Sequence, residues 1–216
     1  MDTYERLYKN SEINMILDNI NEMLNKAEKG LLRGCHGRYH TMFVVDTVEY
    51  ILKSLSYDSK TVECGKIAAL LHDIGNIAGR RNHARKSAVL AVVFLEDSED
   101  LLPSEKKMIV QAIEDHTDGE NISSALGAAL FIADKVDASK RRRLTEEPID
   151  DWYNNLLEIQ DVEIRVVNKT ILIHYVTTEA FSKNMFINRS EKSFSLMKKA
   201  AEYLGFACRF RFNGIE

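Results

Sequence analysis

The 216-residue chain is 45% hydrophobic and 29% charged, the balance of an ordinary globular protein long enough for one full domain and a small appendage. Its formal net charge of −4 argues against wrapping nucleic acid or docking on an anionic membrane. The opening Met1-Asp2-Thr3-Tyr4-Glu5-Arg6 lacks the apolar core of a signal peptide, and no run approaches the roughly 18 apolar residues of a membrane span.

Helical spacing dominates the first three quarters. Ile13, Ile16, Leu17, Ile20, Met23, Leu24 and Ala27 mark one buried face over residues 12–27, which Gly30 stops. The region after it holds Cys35 and His36 between Gly34 and Gly37 and reads as a loop. Cys35, Cys64 and Cys208 lack metal-finger spacing and read as reduced thiols of a cytoplasmic protein. Val44, Val45, Val48, Ile51, Leu52 and Leu55 give a second helix over 41–55. Asp58 or Ser59 caps a third, which ends on Ala68-Ala69-Leu70-Leu71-His72-Asp73.

Gly75 and Gly79 then break the pattern, and residues 76–81 read as a polar loop. Helices follow over 83–95, 104–116 with Ser104 capping after Pro103, and 124–136. The run Lys140-Arg141-Arg142-Arg143 reads as a helix C-terminus with a solvated basic face. Pro148 suits the first turn of a short helix reaching about residue 157.

Beyond residue 160 the period changes. Val162 to Val166 alternates, Asn168-Lys169 turns, and Ile171 to Tyr175 resumes a strand. A helix over 190–204 ends at Gly205, and Phe206, Cys208, Phe210 and Phe212 form the buried face of a third strand. The expected organisation is a helical domain over 1–158 and a small α+β subdomain over 159–216.

Five of the six histidines (His36, His40, His72, His83, His116) fall in the helical part. The doublet His72-Asp73 is the most informative. An apolar helix ending in an imidazole and a carboxylate strands two polar groups at about 1–3 kcal/mol each unless something binds them. Imidazole nitrogen and carboxylate oxygen together suit borderline transition metals.

The series His40, His72-Asp73, His83, His116 and Asp134 resembles the HD superfamily of metal-dependent phosphohydrolases, a helical-bundle family. It most resembles the branch similar to bacterial symmetric diadenosine tetraphosphate hydrolases. Ala112-Ile113-Glu114-Asp115-His116-Thr117-Asp118-Gly119 and Ile132-Ala133-Asp134-Lys135 carry that likeness, which covers roughly residues 32 to 143. It implies two metal ions (iron, manganese, cobalt or zinc). His40, His72 and Asp134 would hold one, His83 and His116 the other. Asp73 would bridge both and hold the nucleophilic water. The implied reaction is hydrolysis of a phosphate ester or anhydride, with a dinucleotide polyphosphate as first substrate class and a nucleoside phosphate as second.

Two departures stand out. His83 follows the doublet more closely than in the tetraphosphate branch, and Asn76 stands where many members carry a phosphate-serving lysine. An alternative is therefore a nucleotide-sensing protein with a metal cage and little turnover. Arg38, Lys135 and Arg141 are candidate phosphate contacts. Asp137 could replace Asp134 as a ligand, but it reads better as a carboxylate on the surface or behind the ligands, and His36 reads as a loop histidine. His174 lies in a strand and is no ligand. The expected partner is a small nucleotide, with no nucleic acid and no membrane, and a homodimer remains open.

Overall fold

The computed structural model describes residues 1–27, 34–142 and 150–213, and helices dominate it as far as Leu157. Gly30, Arg143 and Pro148 lie outside the described residues. A short α1 (Thr3–Tyr8), absent from the sequence reading, is capped by Asp2, whose carboxylate accepts from the Glu5 N–H at 2.8 Å. Then follow α2 (Ser11–Ala27), α3 (Arg38–Ser54) and α4 (Ser59–Leu71). Asp58 resolves the choice of cap for α4 by accepting from the N–H groups of Lys60 and Thr61 at 3.0 and 2.9 Å.

Residues 76–78, the start of the expected polar loop, instead belong to a 3-10 turn (Ile74–Ala78) whose first three residues are buried. Gly75 explains it. Its N–H donates to Ser87 Oγ at 2.8 Å, and a Cβ there would sit 2.3 Å from the Ser87 nitrogen and 2.6 Å from the His83 oxygen. Only a glycine lets this turn press its backbone onto α5 (His83–Leu95).

Next come α6 (Pro103–Asp115), α7 (Ala125–Val136) and α8 (Asp151–Leu157). Ser104 does not cap α6. Pro103 takes the first helical position, where its fixed φ is an advantage, and the Glu105 carboxylate accepts from the Leu102 N–H at 2.7 Å. Ser124 caps α7 by accepting from Gly127 at 3.0 Å. The basic run is not a helix C-terminus: α7 stops at Val136, and residues 140–142 form a separate 3-10 turn.

The rest is a three-stranded sheet in the order β1-β2-β3 with one covering helix. β1 (Ile159–Val167) and β2 (Thr170–Thr177) are antiparallel about Asn168 and Lys169, both at positive φ (47° and 55°), as a two-residue hairpin turn requires. α9 (Lys183–Tyr203) crosses over the sheet to place β3 (Ala207–Phe212) parallel to β2. It starts two turns earlier than its apolar spacing suggests. Phe186, 1% exposed, anchors those turns by packing its ring against Trp152 and Tyr175 at 5.4 and 5.1 Å.

The buried apolar cluster is continuous from Ile13 on α2 to Phe212 on β3. α9 packs on α7, and the Tyr203 hydroxyl donates to the Ser123 carbonyl at 2.9 Å. Among the described residues no helix is long and apolar enough to cross a membrane.

Candidate metal centre

Five chain segments deliver the chemistry to one point. His40 sits in the first turn of α3, His72 and Asp73 just beyond the end of α4, His83 at the start of α5, His116 just past α6, and Asp134 in the last turn of α7. Helix ends are where the backbone departs from the buried wall, so side chains there can face a common cavity without interrupting a helix.

Asp73 is at the middle. Its Oδ1 lies 3.3 Å from His83 Nε2 and 3.7 Å from His116 Nε2. Its Oδ2 lies 3.6 Å from His72 Nε2 and 3.9 Å from His40 Nε2. Asp134 Oδ1 is 3.2 Å from His40 Nε2 and 3.9 Å from His72 Nε2. His40, His72, His116 and Asp73 are buried, whereas the side chains of His83 and Asp134 are each 11% exposed, so the cluster opens to solvent on their side.

The four rings share one arrangement. Each Nδ1 faces an acceptor behind it: His40 faces Asp137 at 2.8 Å, His72 the Ala69 carbonyl at 2.7 Å, His83 the Arg80 carbonyl at 3.1 Å, and His116 the Ile113 carbonyl at 2.6 Å. An acceptor there places the proton on Nδ1 and leaves Nε2 as a lone pair. Four lone pairs therefore converge on Asp73, and His40 and His72 present theirs 3.3 Å apart. Facing lone pairs repel, and a cation satisfies both. Three overlapping groups (His36, His40 and Asp73; His40, His72 and Asp134; His72, Asp73 and His116) have ligand atoms within 4.8 Å of one another and could hold a metal ion.

The charge states of His72 and His83 agree with that requirement, and His40 departs from it. Burial pushes the His72 and His83 rings down to about 4, so both are neutral near pH 7. Burial pushes His40 down as well, but its bonds to Asp134 and Asp137 prevail and raise it. Burial alone would raise Asp73 and Asp134. The histidines around Asp73, and Lys135 and His40 beside Asp134, hold both carboxyls well below the usual range.

All six sequence-nominated ligands therefore meet. The nominated phosphate contacts divide. Lys135 donates to Asp134 Oδ2 at 2.6 Å, at the edge of the cluster. Arg141 pairs with Asp161 at 2.8 Å and lies 3.9 Å from Asp137. Arg38 is committed elsewhere, its guanidinium on Asp18 at 2.6 and 2.9 Å and on Asn14 Oδ1 at 2.8 Å.

The structure also gives His36 and Asp137 definite places and adds Arg80. His36 is no ordinary loop histidine: it is buried, with Nδ1 2.8 Å from Asp73 Oδ2. Burial pushes it down to about 3, so the neutral ring donates to that carboxylate. Arg80 brings Nη1 within 3.1 Å of the His36 ring and 3.4 Å of Asn76 Oδ1. Asp137 is buried behind His40, the second of the two places expected for it. A histidine between two glycines was the one available hint for His36. Arg80 carried no comparable signal.

Comparison with known proteins places this region. Residues 37–139, the stretch that carries all six residues, match the family model described as the HD domain. Among solved structures, the chain is similar to one described as a predicted HD superfamily hydrolase from an uncultured Thermotogales bacterium. The identity is 25%, the match covers 64% of this chain and 75% of that one, and the TM-score is 0.45. No curated protein matches. The architecture is mainly α, a helical bundle whose residues 37–139 match the HD-domain model, with a small α+β part at its C-terminal side.

Proposed function

We propose that this HD-domain bundle is a metal-dependent phosphohydrolase acting on a nucleotide. The observation that carries the reading is the convergence of four imidazole lone pairs on Asp73, with every opposing Nδ1 committed to an acceptor. Histidine ligands oriented from behind in this way are the usual construction of a transition-metal site. The mixed nitrogen and oxygen donors fit iron, manganese, cobalt or zinc.

In this reading Asp73 would be a ligand shared by two cations. His40, His72 and Asp134 would hold one with it, and His83 and His116 the other. When bound, such cations supply Lewis-acid polarisation of phosphoryl oxygens and acidification of water. The chain's own residues do the rest. His36 fixes the Asp73 carboxylate by donating to Oδ2, and Asp137 fixes the His40 tautomer. Arg80 and Lys135 offer positive charge to a phosphate entering past His83 and Asp134.

The likeness of the 112–119 and 132–135 segments makes a dinucleotide polyphosphate the first substrate class and a nucleoside phosphate the second. One observation favours the sensing alternative. Asn76, in the place of a phosphate-serving lysine, is fully buried and its Nδ2 has no partner among the described residues. Arg80, which reaches back to Asn76, supplies a cation at that place and keeps hydrolysis the better reading.

The test is elemental analysis of the purified protein together with phosphate release from a panel of nucleotides, before and after chelation and readdition of manganese or iron. Metal-dependent release supports hydrolysis. Bound metal and bound nucleotide with no release would favour sensing.

A further inference from the structure

The outer face of α5 is apolar where a surface helix should be polar. Val89, Val92 and Val93 are 61%, 55% and 62% exposed. Arg85, Val89, Val92 and Glu96 recur at four, three and four positions, so they form one straight stripe of the kind that seats a partner helix. Arg85 and Glu96 at its ends are exposed and have no ion-pair partner among the described residues.

The stripe is its own complement. Arg85 and Glu96 mirror each other about the midpoint between Leu90 and Ala91, and so do Val89 and Val92. A two-fold axis through that midpoint, with two copies of α5 antiparallel, sets each Arg85 against the other copy's Glu96 and packs the valines between them. The charges also carry the wrong sign for their own helix. Arg85 lies in the first turn, where the helix dipole is positive, and Glu96 at the C-cap, where it is negative. In an antiparallel pair each lies beside the opposite end of the second copy, where its sign is favourable.

We propose that the outer face of α5 is a two-fold self-association surface and that a second copy of this chain covers it. The contact is short, which makes the dimer weak and concentration-dependent. His83 and the metal cluster lie at the inner start of the same helix, so the pairing leaves the mouth of the cluster clear.

Sedimentation velocity of the full chain over a concentration series tests this, with circular dichroism confirming that each variant is folded. Arg85→Glu and Glu96→Arg should each weaken the dimer at least about tenfold, because like charges then face each other twice. The double variant Arg85→Glu/Glu96→Arg should restore it, and mixing the two single variants should give a heterodimer. A monomer at every concentration overturns the proposal. So does a dimer that both single variants leave unchanged, or one that the double exchange fails to restore.

Discussion

Asp137 and Asp134 hold the two nitrogens of the same imidazole: Asp137 Oδ2 lies 2.8 Å from His40 Nδ1, and Asp134 Oδ1 lies 3.2 Å from His40 Nε2. One turn at the end of α7 thus supplies both the carboxylate that shares the cluster with His40 and the carboxylate that aims it. Asp137→Ala should lower metal affinity about 10–100-fold with the fold intact, as loss of an orienting partner behind a ligand generally does. Asp137→Asn, whose Oδ1 still accepts from Nδ1, should lose less. Metal titration of the three proteins decides it, and equal affinities would remove the orienting role.

Asp73 faces both halves of the cluster, whereas each other ligand faces one. Asp73→Ala should lose both metals and all turnover. His83→Ala should keep about one metal per chain, at the His40, His72 and Asp134 side, with strongly reduced activity. Elemental analysis gives the counts, and two metals on Asp73→Ala would show that nothing is bridged.

The Arg80 guanidinium touches the His36 ring and Asn76 and no proposed ligand, and its backbone carbonyl, which orients His83, survives a side-chain substitution. Arg80→Gln should therefore leave the metal count unchanged and raise KM for a phosphate substrate by about 1.5–3 kcal/mol in binding terms, the range of a charge-assisted bond. The split between metal content and KM is the readout. A variant short of metal would make Arg80 a support of the cage instead.

Stripped of metal, the protein should lose stability as pH falls from 6.5 to 4. His72 and His83 are pushed from 6.5 to about 4 and His36 to about 3, so the unfolded chain takes up those protons first. Asp73 and Asp134, depressed as carboxyls, contribute stability above their unfolded range and lose it lower still. His40 is raised, so its contribution is already present below 6.5 and is lost only as pH rises above it. Thermal unfolding in chelator should show Tm falling across that interval, and a flat or rising Tm would mean that His36, His72 and His83 are not held neutral by the fold.

Gly75→Ala places a methyl group against the backbone of α5, 2.3 Å from the Ser87 nitrogen. It should destabilise by about 1–3 kcal/mol or more through overpacking and displace His83. Denaturant unfolding together with the metal count would show both effects.

The longer helices and the six residues nominated as ligands were legible because their signals are local. Apolar spacing marks helix faces, and the doublet and the two flanking segments are short words. The Asn168-Lys169 turn announced its hairpin for the same reason. What stayed hidden depends on distance. His40 and Asp137 are 97 positions apart, and His36 meets Asp73 across 37. Arg38 looked like a phosphate ligand by position alone, yet α2 claims it through Asp18. The parallel pairing of β3 on β2 follows from the path of α9, and alternation within β3 says nothing of its neighbour.

The contact of Gly75 with Ser87 fastens the chain on both sides of residues 79–82, the stretch that carries Arg80. The offset between Asp73 and His83 is then held by that clasp, and the Arg80 carbonyl holds the His83 ring within it. The side chains at positions 80 and 81 can change while both fastenings stay in place. A longer closure at this point costs little extra entropy, because loop closure depends weakly on length. Selection could retune which phosphate compound is received while the metal ligands hold their places.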